Sequence, residues 1–231
     1  MIAMPANTQV ALFDLDNTLT DHAAAFALWA AEFSRESGIP LPWLMKAEER
    51  HAGVRHVFFE EVKETFGIRQ SVAALHGAYR GRCAELVPYR PEVCTAVQAL
   101  AEDGWALGVV TNGAPEAQRR KLDVSQLARY FSSVIISGEY GVRKPDSALF
   151  RLAMDDLQVE DATRAVMVGD CLATDVAGGL RAGLRTVWVS GGRTLHPDAP
   201  VPTYIVRDVV EASGLLRDLS LASVGGPSHP T

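Results

Sequence analysis

Short, nearly unbroken apolar runs occur at residues 9–13, 105–110, 133–136, 165–168 and 186–189, with a weaker one at 204–206. Each ends in acidic, glycine or turn-forming residues, the pattern of a strand buried on both faces. Between them, residues 92–103, 115–130, 146–157 and 174–182 carry apolar positions at helical spacing, with a break expected near Ser125. Strand and helix therefore alternate from residue 92 onward, which predicts an α/β fold: a doubly wound parallel sheet with helices on both faces. Residues 21–87 break the rhythm. No strand-like run appears there, and amphipathic stretches at 23–36, 42–51, 54–66 and 72–86 follow one another, separated by Gly38-Ile39-Pro40, Gly53 and Gly67. An all-helical insert is expected, with its two ends side by side at the mouth of the sheet, where it can act as a lid. The expected division is a core of 1–20 and 88–220, a cap of 21–87 and a disordered tail of 221–231 rich in Gly, Pro and Ser.

In an open parallel sheet, ligands bind beyond the carboxyl ends of the strands. The residues there are Asp14-Leu15-Asp16-Asn17-Thr18 after the first run, Thr111-Asn112-Gly113 after the second, and Gly169-Asp170 followed by Asp175 after the fourth. Carboxylates gathered this way repel one another and resist burial, so a cation must offset them. A hard divalent ion with oxygen ligands, Mg²⁺, is the economical choice, because it binds through one or two carboxylates plus phosphate and water. Asp14 and Asp16 are two residues apart and project to the same side of an extended chain. A carboxylate is already ionised at neutral pH and needs no separate base to attack. Its partner needs the opposite tuning: to protonate a departing oxygen, Asp16 is expected to have a raised pKa. Thr111 and Asn112 offer donors for phosphate oxygens, and Lys144, ahead of Pro145 at a helix start, offers charge.

Taken singly these residues are ordinary. Asp-x-Asp after a strand is a turn or cap signal, Thr18 a loop hydrogen-bonder, and an isolated lysine a solvated charge. Cys171 reads as an inert packed thiol, its thiolate disfavoured by acidic neighbours. His22 is given no catalytic role. Phe26, Trp29, Phe33, Trp43, Phe58, Phe59 and Phe66 are spaced to fill the insert's own core, while Arg35, Lys46, Arg50, Arg55 and Lys63 are expected on a solvated face.

The 231-residue chain is 48% hydrophobic and 22% charged, which suits one globular domain with a sizeable insert. Its formal net charge of −6 argues against nucleic acid or an anionic membrane as partner. Three cysteines at wide spacing form no zinc pattern and suit a reducing cytoplasm. There is no signal-peptide pattern, and the longest apolar run, residues 23–31, is too short to span a bilayer. Motifs for a nucleotide P-loop, dinucleotide binding, zinc proteolysis and serine esterase chemistry are absent.

In combination, Asp14-Leu15-Asp16-Asn17-Thr18, Thr111-Asn112-Gly113, Lys144-Pro145 and Gly169 to Asp175 resemble the four ordered motifs of the haloacid dehalogenase-like (HAD) hydrolase superfamily. The insert resembles its C1-type cap, and the likeness covers residues 10–189. The resemblance implies a Rossmann-like core in which Asp14 is the nucleophile that forms an aspartyl-phosphate. Asp16 would be the general acid/base and would also bind metal through its backbone carbonyl. Thr111, Asn112 and Lys144 would hold the phosphate, with Lys144 also steadying the nucleophile. Asp14, Asp16 and Asp170 would ligate Mg²⁺, and Asp175 would either join them or support them from behind. Cys171 departs from the serine common at its position, which puts one hydroxyl contact in doubt. The presence of Asp16 favours phosphate chemistry over carbon–halogen cleavage. The expected function is Mg²⁺-dependent hydrolysis of a small phosphomonoester, nucleotidase-like or phosphoglycolate phosphatase-like, by a cytoplasmic monomer or homodimer. A phosphomutase, a 2-haloacid dehalogenase and a non-catalytic phosphate-binding protein are the alternatives.

Overall fold

The computed structural model describes residues 8–51 and 54–224. Six strands, β1 (Val10–Phe13), β2 (Ala106–Thr111), β3 (Ser133–Ile136), β4 (Ala165–Gly169), β5 (Arg185–Val189) and β6 (Tyr204–Val206), form one parallel sheet in the order β3-β2-β1-β4-β5-β6. The order reverses at β1, which lies between β2 and β4, so a crevice opens beyond its carboxyl end. Phe13 pairs in register with Val109 and Val168. That register brings Asp14, Thr111 and Asp170 out at nearly the same level.

The insert folds as α1 (His22–Ser37), α2 (Leu41–His51), α3 (Arg55–Phe66) and α4 (Val72–Glu85). Asp21 starts α1 by accepting a 2.8 Å hydrogen bond from the Ala24 N–H, and Gly38 ends it in the left-handed conformation at φ 76°. Phe26, Trp29, Phe58 and Phe59 are buried with Leu44, Val62 and Tyr79, while Phe33, Trp43 and Phe66 pack around them. This cluster is separate from the two that flank the sheet, and each large side chain buried in it contributes roughly 1.5–3 kcal/mol.

The core helices follow: α5 (Pro91–Glu102), α6 (Pro115–Val124), α7 (Ser137–Tyr140), α8 (Ser147–Asp156), α9 (Ala177–Arg181) and α10 (Val209–Val224). Alternation sorts the strands' side chains between two cores. Ala11, Phe13, Leu107, Val109, Val166 and Val168 meet Val93 and Val97 of α5 and Ala212 and Leu216 of α10. Val10, Leu12, Val110, Ala165 and Met167 meet Leu149, Phe150 and Ala153 of α8.

One irregularity was expected and two were not. The break expected near Ser125 is present: α6 stops at Val124, Gln126 adopts φ 60°, and only a 3₁₀ turn, Ala128–Tyr130, follows. The stretch expected as one helix over 174–182 begins with a π-type turn, Leu172–Val176, before α9. The last helix, α10, which the apolar pattern did not single out, reaches Val224, four residues into the stretch expected to be disordered; residues 225–231 lie outside the described residues. Among the described residues no helix is long and apolar enough to cross a membrane.

Candidate active site

Asp14, Lys144 and Asp175 form a buried triad at the end of β1. Lys144 Nζ donates to Asp14 Oδ1 at 2.6 Å and to Asp175 Oδ1 at 2.7 Å, and the Lys144 side chain is only 2% exposed. Two features of local sequence make this possible. The Asn112 side chain grips the Lys144 backbone from both sides, accepting from its N–H at 2.9 Å and donating to its carbonyl at 3.1 Å. Gly169 leaves room for Asp175, since a Cβ there would lie 2.5 Å from both Cβ and Cγ of Asp175. The π-type turn lets the Cys171 N–H donate to Asp175 Oδ2 at 2.9 Å. Both Asp175 oxygens are thus engaged, and its evident task is to hold Lys144.

Asp16 belongs to a second ion pair. Lys121 Nζ, on α6, donates to Oδ1 and Oδ2 at 2.7 Å each, and Gln118 Nε2 donates to Oδ2 at 3.2 Å. Burial alone would raise the Asp16 pKa, but Lys121, the adjacent His22 and these hydrogen bonds outweigh it and hold the carboxyl below its ordinary value. The raised pKa expected for Asp16 is therefore not what this arrangement produces. Neither Lys121 nor Gln118 was among the expected site residues. Their one signal is positional: they stand three apart, with Ala117 and Leu122, on the buried side of a helix where polar side chains need partners.

Thr111 Oγ1 accepts from Gln118 Nε2 at 2.7 Å, which leaves its own O–H free to donate into the cleft. Asn112 reaches the same cleft, but its carbonyl and one N–H are committed to Lys144, so it serves chiefly as a positioner of that lysine. Thr18 is buried in the loop, and Cys171 lines the cleft. His22 lies 3.7 Å from Asp16 Oδ1 and 3.1 Å from the Tyr79 hydroxyl. Burial and then the neighbouring cations more than offset Asp16, keeping its pKa below the ordinary histidine value. Arg55, expected on a solvated face, instead lies 5.0 Å over the rings of Phe26 and Tyr79 and is paired with Glu48. Its guanidinium exchanges water for aromatic faces and a bidentate carboxylate.

Asp14, Asp170 and Asp175 can each present a carboxylate oxygen within 4.8 Å of the others. Burial, the neighbouring Asp175 and then Asp16 push the Asp14 carboxyl up to about 8 despite Lys144. Burial and Asp175 push Asp170 up to about 6. Burial would lower the pKa of Lys144, yet Asp14 and Asp175 hold it above the ordinary lysine value. Three carboxylates face one buried ammonium, with the exposed Arg193 guanidinium 3.5 Å from Asp170 Oδ2 at the edge, so the cluster is short of positive charge of the kind a divalent cation brings. An all-oxygen donor set suits a hard ion of the Mg²⁺ kind. The Lys144 ammonium engages Asp14 through Oδ1, which leaves Oδ2 for a ligand, and the Asp170 carboxylate is held only by the long 3.5 Å contact from Arg193 Nη2 among the described residues. The Asp170 carbonyl, by contrast, is taken by Trp188 Nε1 at 3.0 Å and Arg193 Nη2 at 2.7 Å, a pair of contacts the sequence did not signal.

These groups line a cleft of about 640 Å³, large enough for a small metabolite. The family model of the haloacid dehalogenase-like hydrolases matches residues 8–183. A phosphoserine phosphatase of Thermus thermophilus is 37% identical over 201 residues, 87% of this chain and 75% of that protein. A pyrimidine 5′-nucleotidase of Escherichia coli is 30% identical over 163 residues, 71% of each. Among solved structures, the magnesium-bound HAD-hydrolase YfnB of Bacillus subtilis superposes with a TM-score of 0.76 at 25% identity, covering 91% of this chain and 99% of that one. By sequence and by fold, the chain belongs to the haloacid dehalogenase-like hydrolases.

Proposed function

We propose that the protein is a Mg²⁺-dependent phosphatase of a small phosphorylated metabolite, working through a phosphoryl group carried transiently on Asp14. The observation that carries this reading is the charge deficit around Asp14: a buried carboxylate beside Asp170 and Asp175, with Lys144 as the cation touching it. The relatives named for phosphatase and nucleotidase activities point the same way.

Bound by Asp14, Asp170 and the Asp16 carbonyl, with Asp175 behind, the metal would neutralise phosphate oxygens and Asp14 so that two anions can approach. This chain's residues do the rest. Thr111 donates its hydroxyl proton to a phosphate oxygen, and Lys144 fixes Asp14 with one oxygen aimed at phosphorus. Asp14 forms the new O–P bond as the ester O–P bond breaks, and the departing alkoxide takes a proton from Asp16. Asp16 then removes a proton from water, whose oxygen attacks phosphorus and frees Asp14. Lys121 holds Asp16 ready for the second, base role. The acid role requires that carboxylate to pick up its proton as it leaves Lys121, and closure of the cap, residues 21–87, over a substrate is the event we assign to it.

Phosphate release from p-nitrophenyl phosphate with and without Mg²⁺, compared with Asp14→Asn, tests the reading. Turnover should need the metal and fall by at least about 10³-fold in the variant; turnover that survives the substitution defeats Asp14 as nucleophile.

A further inference from the structure

Between the insert and the core runs a second cleft of about 670 Å³, bounded by α3 and α4 on one side and by the segments leading into α6 and out of α7 on the other. Its lining includes Arg55, His56, His76, Arg80 and Arg143 and contains no Asp or Glu. That is unusual for a chain with 28 acidic residues and a net charge of −6. Arg55 is already matched by Glu48, but Arg80 and Arg143 have no ion-pair partner among the described residues. Glu85 and Glu116 line a separate groove that Arg80 also borders. The cations on the α3–α4 wall are close enough to act on one another: burial, then Arg80, Arg55 and His56, depress the His76 pKa.

This cleft is continuous with the site of chemistry. Asn112, Gly113 and Ala114 line both it and a smaller cavity of about 150 Å³ that reaches Asp16, and Asn112 also lines the cleft containing Asp14. A phosphomonoester seated at Asp14 can therefore extend its alcohol portion past Asn112 toward Arg80 and Arg143. Small apolar side chains, Ala114, Pro115 and Val142, line part of that path, but its charged groups are all cationic or imidazole. The phenyl and phenol rings of Phe26 and Tyr79 are covered by the Arg55 guanidinium and packed in the insert's core.

We propose that the Arg80–Arg143 cleft is a subsite for a second anionic group, so that the preferred substrate is a phosphomonoester whose alcohol portion bears a carboxylate or another phosphate. This rests on the phosphatase reading above and deepens it. Two arginines closing on an anion from opposite walls also give the insert a reason to shut only on a substrate that spans both.

Two substrate pairs test it: glycerol 3-phosphate against 3-phosphoglycerate, which adds a carboxylate, and fructose 6-phosphate against fructose 1,6-bisphosphate, which adds a phosphate. The wild-type protein should favour the more anionic member of at least one pair by about tenfold or more in kcat/KM. The pair showing the effect tells which anion is read. Arg80→Ala with Arg143→Ala should bring that ratio to within about twofold of one, chiefly by raising KM for the more anionic ester, whereas Arg80→Lys with Arg143→Lys should retain most of it. Equal rates on both members of both pairs, or a preference that survives the double alanine variant, overturns the subsite. Turnover of p-nitrophenyl phosphate without any preference overturns the subsite alone. No turnover of any phosphomonoester overturns the phosphatase reading and the subsite with it.

Discussion

Lys121 Nζ stands 2.7 Å from each carboxylate oxygen of Asp16, although 105 residues separate the two. One arrives on the loop after β1 and the other on α6, so their meeting depends on the whole sheet being assembled. The side chain of Lys121 is only 6% exposed. Removing its charge leaves Asp16 partly buried without its main counter-ion, and the Asp16 pKa must rise. Lys121→Met should lower kcat by about tenfold to a hundredfold and move the acid limb of the kcat–pH profile upward, if hydrolysis of the phosphorylated Asp14 limits turnover. An unmoved profile in a folded variant would remove Lys121 from the catalytic account.

Asn112 is a hydrogen-bonding clamp on Lys144, and each of its two bonds is worth about 1 kcal/mol when both partners are well placed. Asn112→Ala should cost roughly tenfold in kcat/KM while leaving the Mg²⁺ requirement intact, because Lys144 is displaced and the carboxylates are not. If the loss appears instead as a large weakening of Mg²⁺ binding, Asn112 organises the metal and not the lysine.

Close packing at the end of β4 makes Gly169 intolerant of any side chain. A Cβ would overlap Cβ and Cγ of Asp175, one of the two carboxylates that hold Lys144 in place. Overpacking of this kind costs about 1–3 kcal/mol, or about 2–12 °C in a chain of this size. Thermal unfolding of Gly169→Ala should show that drop together with weakened Mg²⁺ stabilisation. A variant with wild-type Tm would mean that Asp175 can step aside at no cost.

The inner strands β1, β2 and β4 were readable because each is buried and almost wholly apolar, and that character is itself the sign of a central position in a parallel sheet. The aromatic core of the insert was readable from spacing for the same reason, burial on one side of each helix. Asp14, Thr111, Lys144, Asp170 and Asp175 were legible because strand ends and motif order mark them, and the structure brings all of them to one cleft or its floor. Partnerships were not legible. That Asp16 would meet Lys121, that Asn112 would hold Lys144, and that Arg55 would turn inward onto aromatic rings are consequences of tertiary geometry. A charged residue at helical spacing looks the same in sequence whether it faces water or a buried counter-ion.

Metal and proton compete for the same carboxylates, which fixes the sign of one last effect. Asp14 is raised to about 8 and Asp170 to about 6, both above the ordinary value of 3.8 that applies in the unfolded chain. Between those limits these two groups bind more protons in the folded protein than in the unfolded one, so their contribution to metal-free stability is full below about pH 4 and is lost as pH rises through about 6 and then about 8. Lys144, raised above its ordinary value, stays protonated on both sides of folding across this window and does not reverse the slope. On the proposed function, Mg²⁺ would bind only the ionised carboxylates of the folded state and so supply the missing positive charge where protons no longer do. The rise in Tm on adding saturating Mg²⁺ should therefore be larger at pH 8 than at pH 5.5, and Asp170→Asn should shrink it at pH 8. A Mg²⁺-induced rise that is equal at the two pH values, or larger at the lower one, would show that the ion is not held by Asp14 and Asp170.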